Sequence, residues 1–372
     1  MNEVLTDHAA MAQAIRLARR GLYTTQPNPR VGCVIIRDGR VVGQGFHVRA
    51  GEPHAEILAL KQAGDEAENA TVYVTLEPCS HTGRTPPCAD ALIAAKVERV
   101  VIAMMDPNPR VAGSGIERLR RAGIAVETGI LQQQAEALNP GFIMRMREQR
   151  PWVRVKLAMS LDGRTAMASG ESQWITGEAA RYDVQKLRAR SCAVLTGINT
   201  VVHDDPSMNV RLSAEALSAE SEPVQPLRVV IDTDLRTPAT AKIVHLPGKV
   251  VIFHHSEDKH KLSQLQIEGV YLHKIGLVDG WPDLREVMQV LVEYDVNECH
   301  VEAGSKLAGS LLQAELVDEL VIYMAPHLMG TDALGLFELR GLEKMAQRIR
   351  LDVDDIRKIG DDWRITARPR TS

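Results

Sequence analysis

Two hydrophobic rhythms alternate along the first third of the chain. Met11, Ala14, Ile15 and Ala18 recur at helical spacing behind Asp7, which predicts a helix capped by that aspartate and stopped near Gly21. Two β-branched runs follow, Val31 to Ile36 and Val41 to Phe46, and the Asp38-Gly39 pair between them predicts a tight hairpin. Behind His54, the positions Ala55, Leu58 and Ala59 read as a helix, and Thr71 to Leu76 as a buried strand. Pro87 to Ala95, Arg99 to Ala103, Gly115 to Arg121 and Ile124 to Thr128 then continue as helix, strand, helix and short strand. This succession predicts a layered sheet with helices on its faces.

From Asn139 to Pro151 the alternation stops and Arg145, Arg147 and Arg150 accumulate, so the segment reads as a connector. A boundary near Arg150 divides the chain into domains 1–150 and 151–372. Beyond it, Trp152 to Met159 reads as a strand and Glu178 to Arg190 as a helix. Ala193 to Thr196 is a short apolar run, and Leu227 to Ile231 is another strand. Cys299 to Glu302 reads as a strand leading through a glycine-bearing turn into a helix with Leu311, Leu312 and Leu316. The second domain is again α/β. Ser213 to Pro226 lacks periodicity and reads as a surface loop, and Glu343 to Lys358 alternates in charge as exposed structure does.

Length supports the division, since 372 residues exceed what one hydrophobic core usually holds. A net charge of -4 and 4% aromatic residues offer neither a basic groove nor a stacking platform, which argues against nucleic acid and favours a small-molecule substrate. No apolar run approaches the roughly 20 residues that span a bilayer, so no membrane partner is expected. The five cysteines are Cys33, Cys79, Cys88, Cys192 and Cys299. An odd count without a secretory signal points to a reducing compartment, the cytoplasm.

The chemistry is concentrated in His54-Ala55-Glu56, Pro78-Cys79 and Cys88. One imidazole and two thiolates can hold Zn2+ while leaving a position for water, and Glu56 is placed to move that water's protons. These residues fall at helix starts beside strand ends, where the helix dipole favours thiolates. A closed structural site would need a fourth ligand, for which only His81 stands near. The pattern predicts a hydrolytic deaminase. Between the thiolates, His81 and Arg84 could grip a phosphate, or the insert could be a solvated loop that brings Cys88 into reach.

The His-x-Glu and Pro-Cys pattern resembles the zinc-dependent cytidine deaminase superfamily, with a longer insert than Cys-x-x-Cys. Thr24 to Val34 and His81 to Cys88 are similar to the deaminase half of the bifunctional riboflavin-biosynthesis deaminase/reductase family. Lys156 to Gly163, Ser172 to Thr176, Leu187 to Arg190, Thr200 to Pro206 and Glu302 to Ser305 resemble its reductase half, in that order. The resemblance implies an N-terminal cytidine-deaminase-like α/β/α layered domain and a C-terminal dihydrofolate-reductase-like α/β domain. It further implies a phosphoribosyl-aminopyrimidine substrate whose ribosyl chain is reduced to ribityl by NADPH. The substrate of the first half would meet Asn28, His47, His81 and Arg84. NADPH would be lined by Ala158, Trp174, Thr200, Asp204 and a loop of Gly304, Ser305, Lys306, Leu307, Ala308, Gly309 and Ser310. Lys156, Ser172, Arg188, Met208, Arg211 and Glu302 would meet the substrate of the second half. The resemblance also makes a homo-oligomer, a dimer or tetramer, an expectation, although no interface can be read from the sequence.

The residues themselves leave alternatives. Arg188 and Arg211 suit bidentate phosphate binding or surface ion pairs. Lys156 could protonate the opened sugar or pair with Asp162, and Glu302 could hold a sugar hydroxyl or cap a turn. The 303–310 glycine pattern is not the Rossmann fingerprint and reads equally as an ordinary turn. Two rival functions stand beside the main one. A polynucleotide-editing deaminase would need a basic groove, and a non-catalytic zinc-stabilised protein would have no use for Glu56.

Overall fold

The computed structural model describes residues 6–80, 87–109 and 111–370. Candidates His81 and Arg84 lie outside the described residues. The chain forms two compact units, Met1–Gln149 with Ser213–Val224, and Arg150–Leu212 with Gln225–Ser372. Residues 213–224 thus leave the second half of the chain to pack on the first unit, where Glu220 pairs with Arg20 and Arg49 donates to Ser221 Oγ at 3.2 Å. The segment also buries Leu217, and its Val224 amide donates to the Tyr23 carbonyl at 3.3 Å.

The first unit opens with helix α1, Asp7–Arg19. Thr6 rather than Asp7 caps it, accepting from the Ala9 amide at 3.3 Å. Asp7 turns away to accept from Tyr73 Oη at 2.6 Å and from both terminal nitrogens of Arg99 at 3.1 and 2.6 Å. Strands β1 Gly32–Arg37 and β2 Arg40–Phe46 form the expected hairpin, with Asp38 and Gly39 both at positive φ. Helix α2 Ala55–Ala63, strand β3 Thr71–Leu76, helix α3 Cys88–Ala94, strand β4 Arg99–Met104, helix α4 Ser114–Arg121 and strand β5 Ala125–Thr128 follow.

The sheet order is β2-β1-β3-β4-β5, antiparallel on one side of β3 and parallel on the other. Its central strands bury both faces, as their unbroken apolar runs require. Cys33, Ile35, Val72 and Val74 meet α2, α3 and α4, while Val34, Tyr73 and Val101 meet α1. Glycines in β2 let α2 lie unusually close, since a Cβ on Gly43 would stand 2.2 Å from the Ala59 carbonyl oxygen and one on Gly45 2.6 Å from that of Ala55. That approach fixes the start of α2, where His54 and Glu56 sit.

The expected connector at 139–151 is largely helix. After α5 Gln132–Glu136, α6 runs over Pro140–Glu148, with proline at its first turn and Phe142 and Ile143 against the core. The arginines occupy its outer turns, and their density masks a short amphipathic helix.

The second unit is built on a nine-stranded sheet. Its order is Val270–Lys274, Val250–His254, Leu227–Ile231, Ala193–Gly197, Glu298–Glu302, Trp152–Ser160, Glu319–Ala325, Asp362–Pro369 and Leu351–Ile359. The first seven run parallel, and the last two form an antiparallel hairpin. One face of the central strands packs Val153, Val155, Leu157, Cys299 and Val301 against the helices Leu284–Glu293 and Ser305–Gln313. The other face packs Val321 and Tyr323 on the helix Glu178–Ala189 and Val194, Val230 and Ile252 in a separate apolar cluster, with charged groups between them. Arg154, wholly buried, binds Glu319 at 2.6 Å and Glu298 at 3.1 Å beneath the helix Glu178–Ala189. The glycine-bearing segment expected as a loop over 304–310 is helical from Ser305 onward.

Candidate active sites

In the first unit, the strand β3 ends just before Glu77-Pro78-Cys79, and the starts of α2 and α3 deliver His54 and Cys88 to the same point. His54 Nδ1 stands 3.2 Å from Cys88 Sγ and 3.7 Å from Cys79 Sγ, and the three ligand atoms lie within 4.8 Å of one another. Zn–N and Zn–S bonds of about 2.0 and 2.3 Å at a tetrahedral angle place such atoms about 3.5 Å apart, so the donor set fits the ion in both chemistry and size. Glu56, in the first turn of α2 and 4% exposed, lies beside them. Burial pushes its carboxyl up, which suits a group that must both take and give a proton near neutrality. The Cys79 thiol is pulled down to about 4, first by hydrogen bonding with Cys88 and also by His54, while the same sharing drives Cys88 up. His54 is raised, chiefly by Cys79.

Two further candidates join this site. Asn28 Nδ2 and His47 Nε2 are 3.0 Å apart, and the His47 ring meets that of His54 edge-on at 5.4 Å between centroids. His47 is 3% exposed, and burial lowers its pKa, so it enters the site as a neutral ring.

The second unit carries two adjoining cavities, of about 430 and 420 Å³, at the carboxyl ends of its parallel strands, where open α/β sheets place ligands. Ser172, Thr200, Asp204, Gly304 and Ser305 belong to the walls of both. The first cavity adds Lys306, Leu307 and Ser310, and the amino end of the helix Ser305–Gln313 points into it, an arrangement that receives phosphate. The second adds Lys156, Ala158, Trp174, Arg188, Met208, Arg211 and Glu302. A dinucleotide beside a second phosphorylated ligand fits this pair of spaces.

Ala308 and Gly309 do not reach either cavity. Ala308 is fully buried in the core, and a Cβ on Gly309 would lie 2.1 Å from the Glu338 carbonyl oxygen. Once the segment is helical, only one side of it can face the ligand. Arg188, on the wall of the second cavity, gives its Nε and Nη2 to the Glu302 carboxylate at 2.5 and 2.9 Å and its Nη1 to the Asn209 carbonyl at 3.1 Å. The pair is buried rather than superficial. Arg211 uses only its backbone amide, toward Gln185, and among the described residues its guanidinium has no carboxylate partner. Lys156 faces Glu302 rather than Asp162, whose carboxylate accepts from the Met329 and Gly330 amides instead. Burial lowers the Lys156 pKa, against the pull of Glu302.

Sequence reasoning missed Asn199, His203, Thr233 and Trp281, which complete the first cavity. The first three follow the strand ends at Gly197 and Ile231, a signal that was available. Trp281 has none, as it stands on a two-residue strand paired with Leu277–Val278 just before the helix Leu284–Glu293.

Residues 5–104 match the cytidine and deoxycytidylate deaminase zinc-binding region, and residues 151–365 match the RibD C-terminal domain. A riboflavin biosynthesis protein RibD from Escherichia coli is 52% identical over 96% of this chain and 98% of its own length. The chain belongs to the RibD family. Its relative of the same designation from Haemophilus influenzae is 48% identical, over 98% of both chains. The solved structure of Acinetobacter baumannii RibD superposes with a TM-score of 0.90 at 46% identity, covering 99% of this chain and all of that one. A Thermotoga maritima structure described as a diaminohydroxyphosphoribosylaminopyrimidine deaminase and 5-amino-6-(5-phosphoribosylamino)uracil reductase has a TM-score of 0.83 at 32% identity over 98% of each chain. As a member of the RibD family, the protein is a deaminase and reductase of riboflavin biosynthesis that works with Zn2+ and NADPH. No helix among the described residues is long and apolar enough to cross a membrane.

Proposed function

We propose that residues 1–150 deaminate a diaminohydroxyphosphoribosylaminopyrimidine and that residues 151–372 reduce the resulting 5-amino-6-(5-phosphoribosylamino)uracil to its ribityl form. The observation that carries the reading is the meeting of His54, Cys79 and Cys88 within 4.8 Å beside a buried Glu56. These three residues hold the zinc ion, which supplies the Lewis acidity that makes water nucleophilic at neutral pH. Glu56 accepts the proton of the attacking water and returns protons to the ring nitrogen and the departing amine, so that ammonia leaves as the carbonyl forms. Asn28 and His47 orient the pyrimidine ring, with His81 and Arg84 assigned to its phosphate.

In the second unit, the cavity lined by Lys306, Leu307 and Ser310 would hold NADPH, which would supply the hydride. Thr200, Asp204 and the turn at Gly304 to Lys306 would hold it, with Leu307 and Ser310 completing that cavity and Ala158 and Trp174 meeting it from the adjoining one. The substrate fills the adjoining space, where Arg211 takes the phosphate and Ser172 and Met208 line the approach. Lys156, its charged form disfavoured by burial, gives its proton to the sugar oxygen as the carbonyl carbon is reduced. The Arg188–Glu302 pair fixes that lysine and the sugar hydroxyls. The deciding experiment is a mass-resolved assay of the purified protein with the diaminopyrimidine, with and without NADPH, alongside metal analysis. Deamination alone without NADPH and both steps with it are expected; reduction without prior ammonia release would reverse the order.

We assign the protein to the cytoplasm and to a homo-oligomer. Leu351–Ile359 is the edge strand of its sheet and exposes Leu351, Val353 and Ile356. Its acids Asp352, Asp354 and Asp355 are already paired with Arg370, Arg368 and Arg357, so a second copy would meet this strand through its backbone and apolar side chains. Sedimentation at several concentrations tests this, and a monomer throughout would refute it.

A further inference from the structure

The turn that presents Cys79 is gripped from one side by a single buried carboxylate that the chemistry does not use. Glu77 follows β3 directly and is 4% exposed. Its Oε2 accepts from the amides of Asp106 and Gly113 at 3.1 and 3.0 Å, and its Oε1 from those of Gly115 and Ile116 at 2.9 and 3.2 Å. Four peptide N–H groups thus converge on one side chain. Two of them are free donors of the first turn of α4, whose own N-cap, Gly113, has no side chain to offer. Glu77 caps that helix from a different element and binds the loop before it at the same time.

The other contacts of the turn reinforce the attachment. A Cβ on Gly115 would stand 2.1 Å from the Pro78 carbonyl oxygen, so the helix start lies directly against the Pro-Cys peptide. Ser80 Oγ meets Ser114 Oγ at 2.6 Å, and Arg118 donates to the Ser80 carbonyl at 3.1 Å. On the far side, Ala89 N–H reaches the Cys79 carbonyl at 3.1 Å and Cys88 N–H reaches Cys79 Sγ at 3.3 Å. Cys79 is therefore tied to α3 through its own atoms and to α4 through its neighbours, with Glu77 contributing most of the second tie.

We propose that Glu77 is a positioning residue for the zinc site, locking the backbone of the Pro78–Cys79 turn to α4 so that the Cys79 sulfur is held at ligand distance before the ion arrives. The inference rests on the reading of Cys79 as a ligand. A carboxylate is needed because it can accept from all four amides. An amide of the same shape would turn two of those contacts into donor facing donor.

The test is Glu77→Gln in the full-length protein, followed by competition for zinc with a chelator. Outer contacts of metal ligands are typically worth about 10- to 100-fold in affinity, and a weakening of that size is expected, with NADPH oxidation on deaminated substrate unchanged. Leu119→Ala, which removes a fully buried side chain from the same helix, serves as the comparison. It should lower the melting temperature without loosening zinc. If Glu77→Gln lowers stability as Leu119→Ala does but holds zinc normally, the residue is only structural and the proposal is overturned. Should Glu77→Gln not fold, Ser114→Ala takes its place, with a smaller loss of affinity expected and an unchanged affinity counting against the clamp. Cys79→Ser, measured in parallel, separates the two readings. Zinc retained there removes the ligand assignment and the clamp together, whereas zinc lost there but kept by Glu77→Gln removes the clamp alone.

Discussion

Arg188 and Glu302 meet in a two-pronged ion pair on the wall of the substrate cavity, Nε to Oε1 at 2.5 Å and Nη2 to Oε2 at 2.9 Å. Burial alone would raise the Glu302 carboxyl, but the Arg188 guanidinium, helped by His300, outweighs it and holds it well below the usual range. The carboxylate is therefore held in its charged form, and both partners are largely withdrawn from solvent.

Removing one side of such a pair leaves the other charge stranded. Glu302→Gln is expected to cost about 3–5 kcal/mol of stability in chemical denaturation and to abolish NADPH oxidation, with ammonia release persisting. A variant of normal stability would mean that the pair opens to solvent more readily than its burial indicates.

The proposed phosphate contact of the second cavity is Arg211, whose guanidinium has no carboxylate partner among the described residues. Arg211→Met should raise KM for the reduction step by about 10- to 100-fold, the worth of a hydrogen bond to a charged group, with kcat nearly unchanged. Steady-state kinetics of NADPH oxidation on the deaminated substrate distinguish this from a loss of kcat, which would place the residue at the reacting carbon.

Glu56→Gln should reduce ammonia release by at least about 100-fold, the low end of what a positioned general acid–base contributes. Zinc content and NADPH oxidation on deaminated substrate should remain. Loss of zinc in this variant would make Glu56 a ligand rather than a proton carrier.

Acid stability of the first unit should carry the mark of Asp7. Hydrogen bonds from Arg99, then Tyr73, hold its carboxyl at about 2, below the usual 3.8. A depressed carboxyl stabilises the fold above its unfolded value and loses that contribution as pH falls through its folded value. The melting temperature of Asp7→Asn should therefore lie below that of the unaltered protein at neutral pH, and the gap should close between pH of about 4 and about 2. A gap independent of pH would assign the loss to packing.

Much of the site was legible because its chemistry is local. His54 and Glu56 are separated by one residue at a helix start, and the Pro-Cys turn follows a strand whose apolar run is unmistakable, so residue type and spacing alone predicted a zinc-dependent deaminase. The reductase motifs were legible through resemblance rather than periodicity. Asp7 was read as a cap because sequence shows only its neighbours along the chain, and Arg99, 92 residues away, drew its carboxylate elsewhere. The arginines of α6 obscured a helix for a similar reason, since its core-facing side holds only a few apolar residues.

Sequence by itself determined the two α/β units, the order of most elements and the identity of the candidate metal ligands, because each depends on patterns within a short stretch of chain. Tertiary structure alone decided that Arg188 pairs with Glu302, that Ala308 and Gly309 face the core, that residues 213–224 pack on the first unit, and that Glu77 gathers four amides from the start of α4 and the loop before it. A charged side chain takes the partner that folding brings nearest, and that partner may lie anywhere in the sequence.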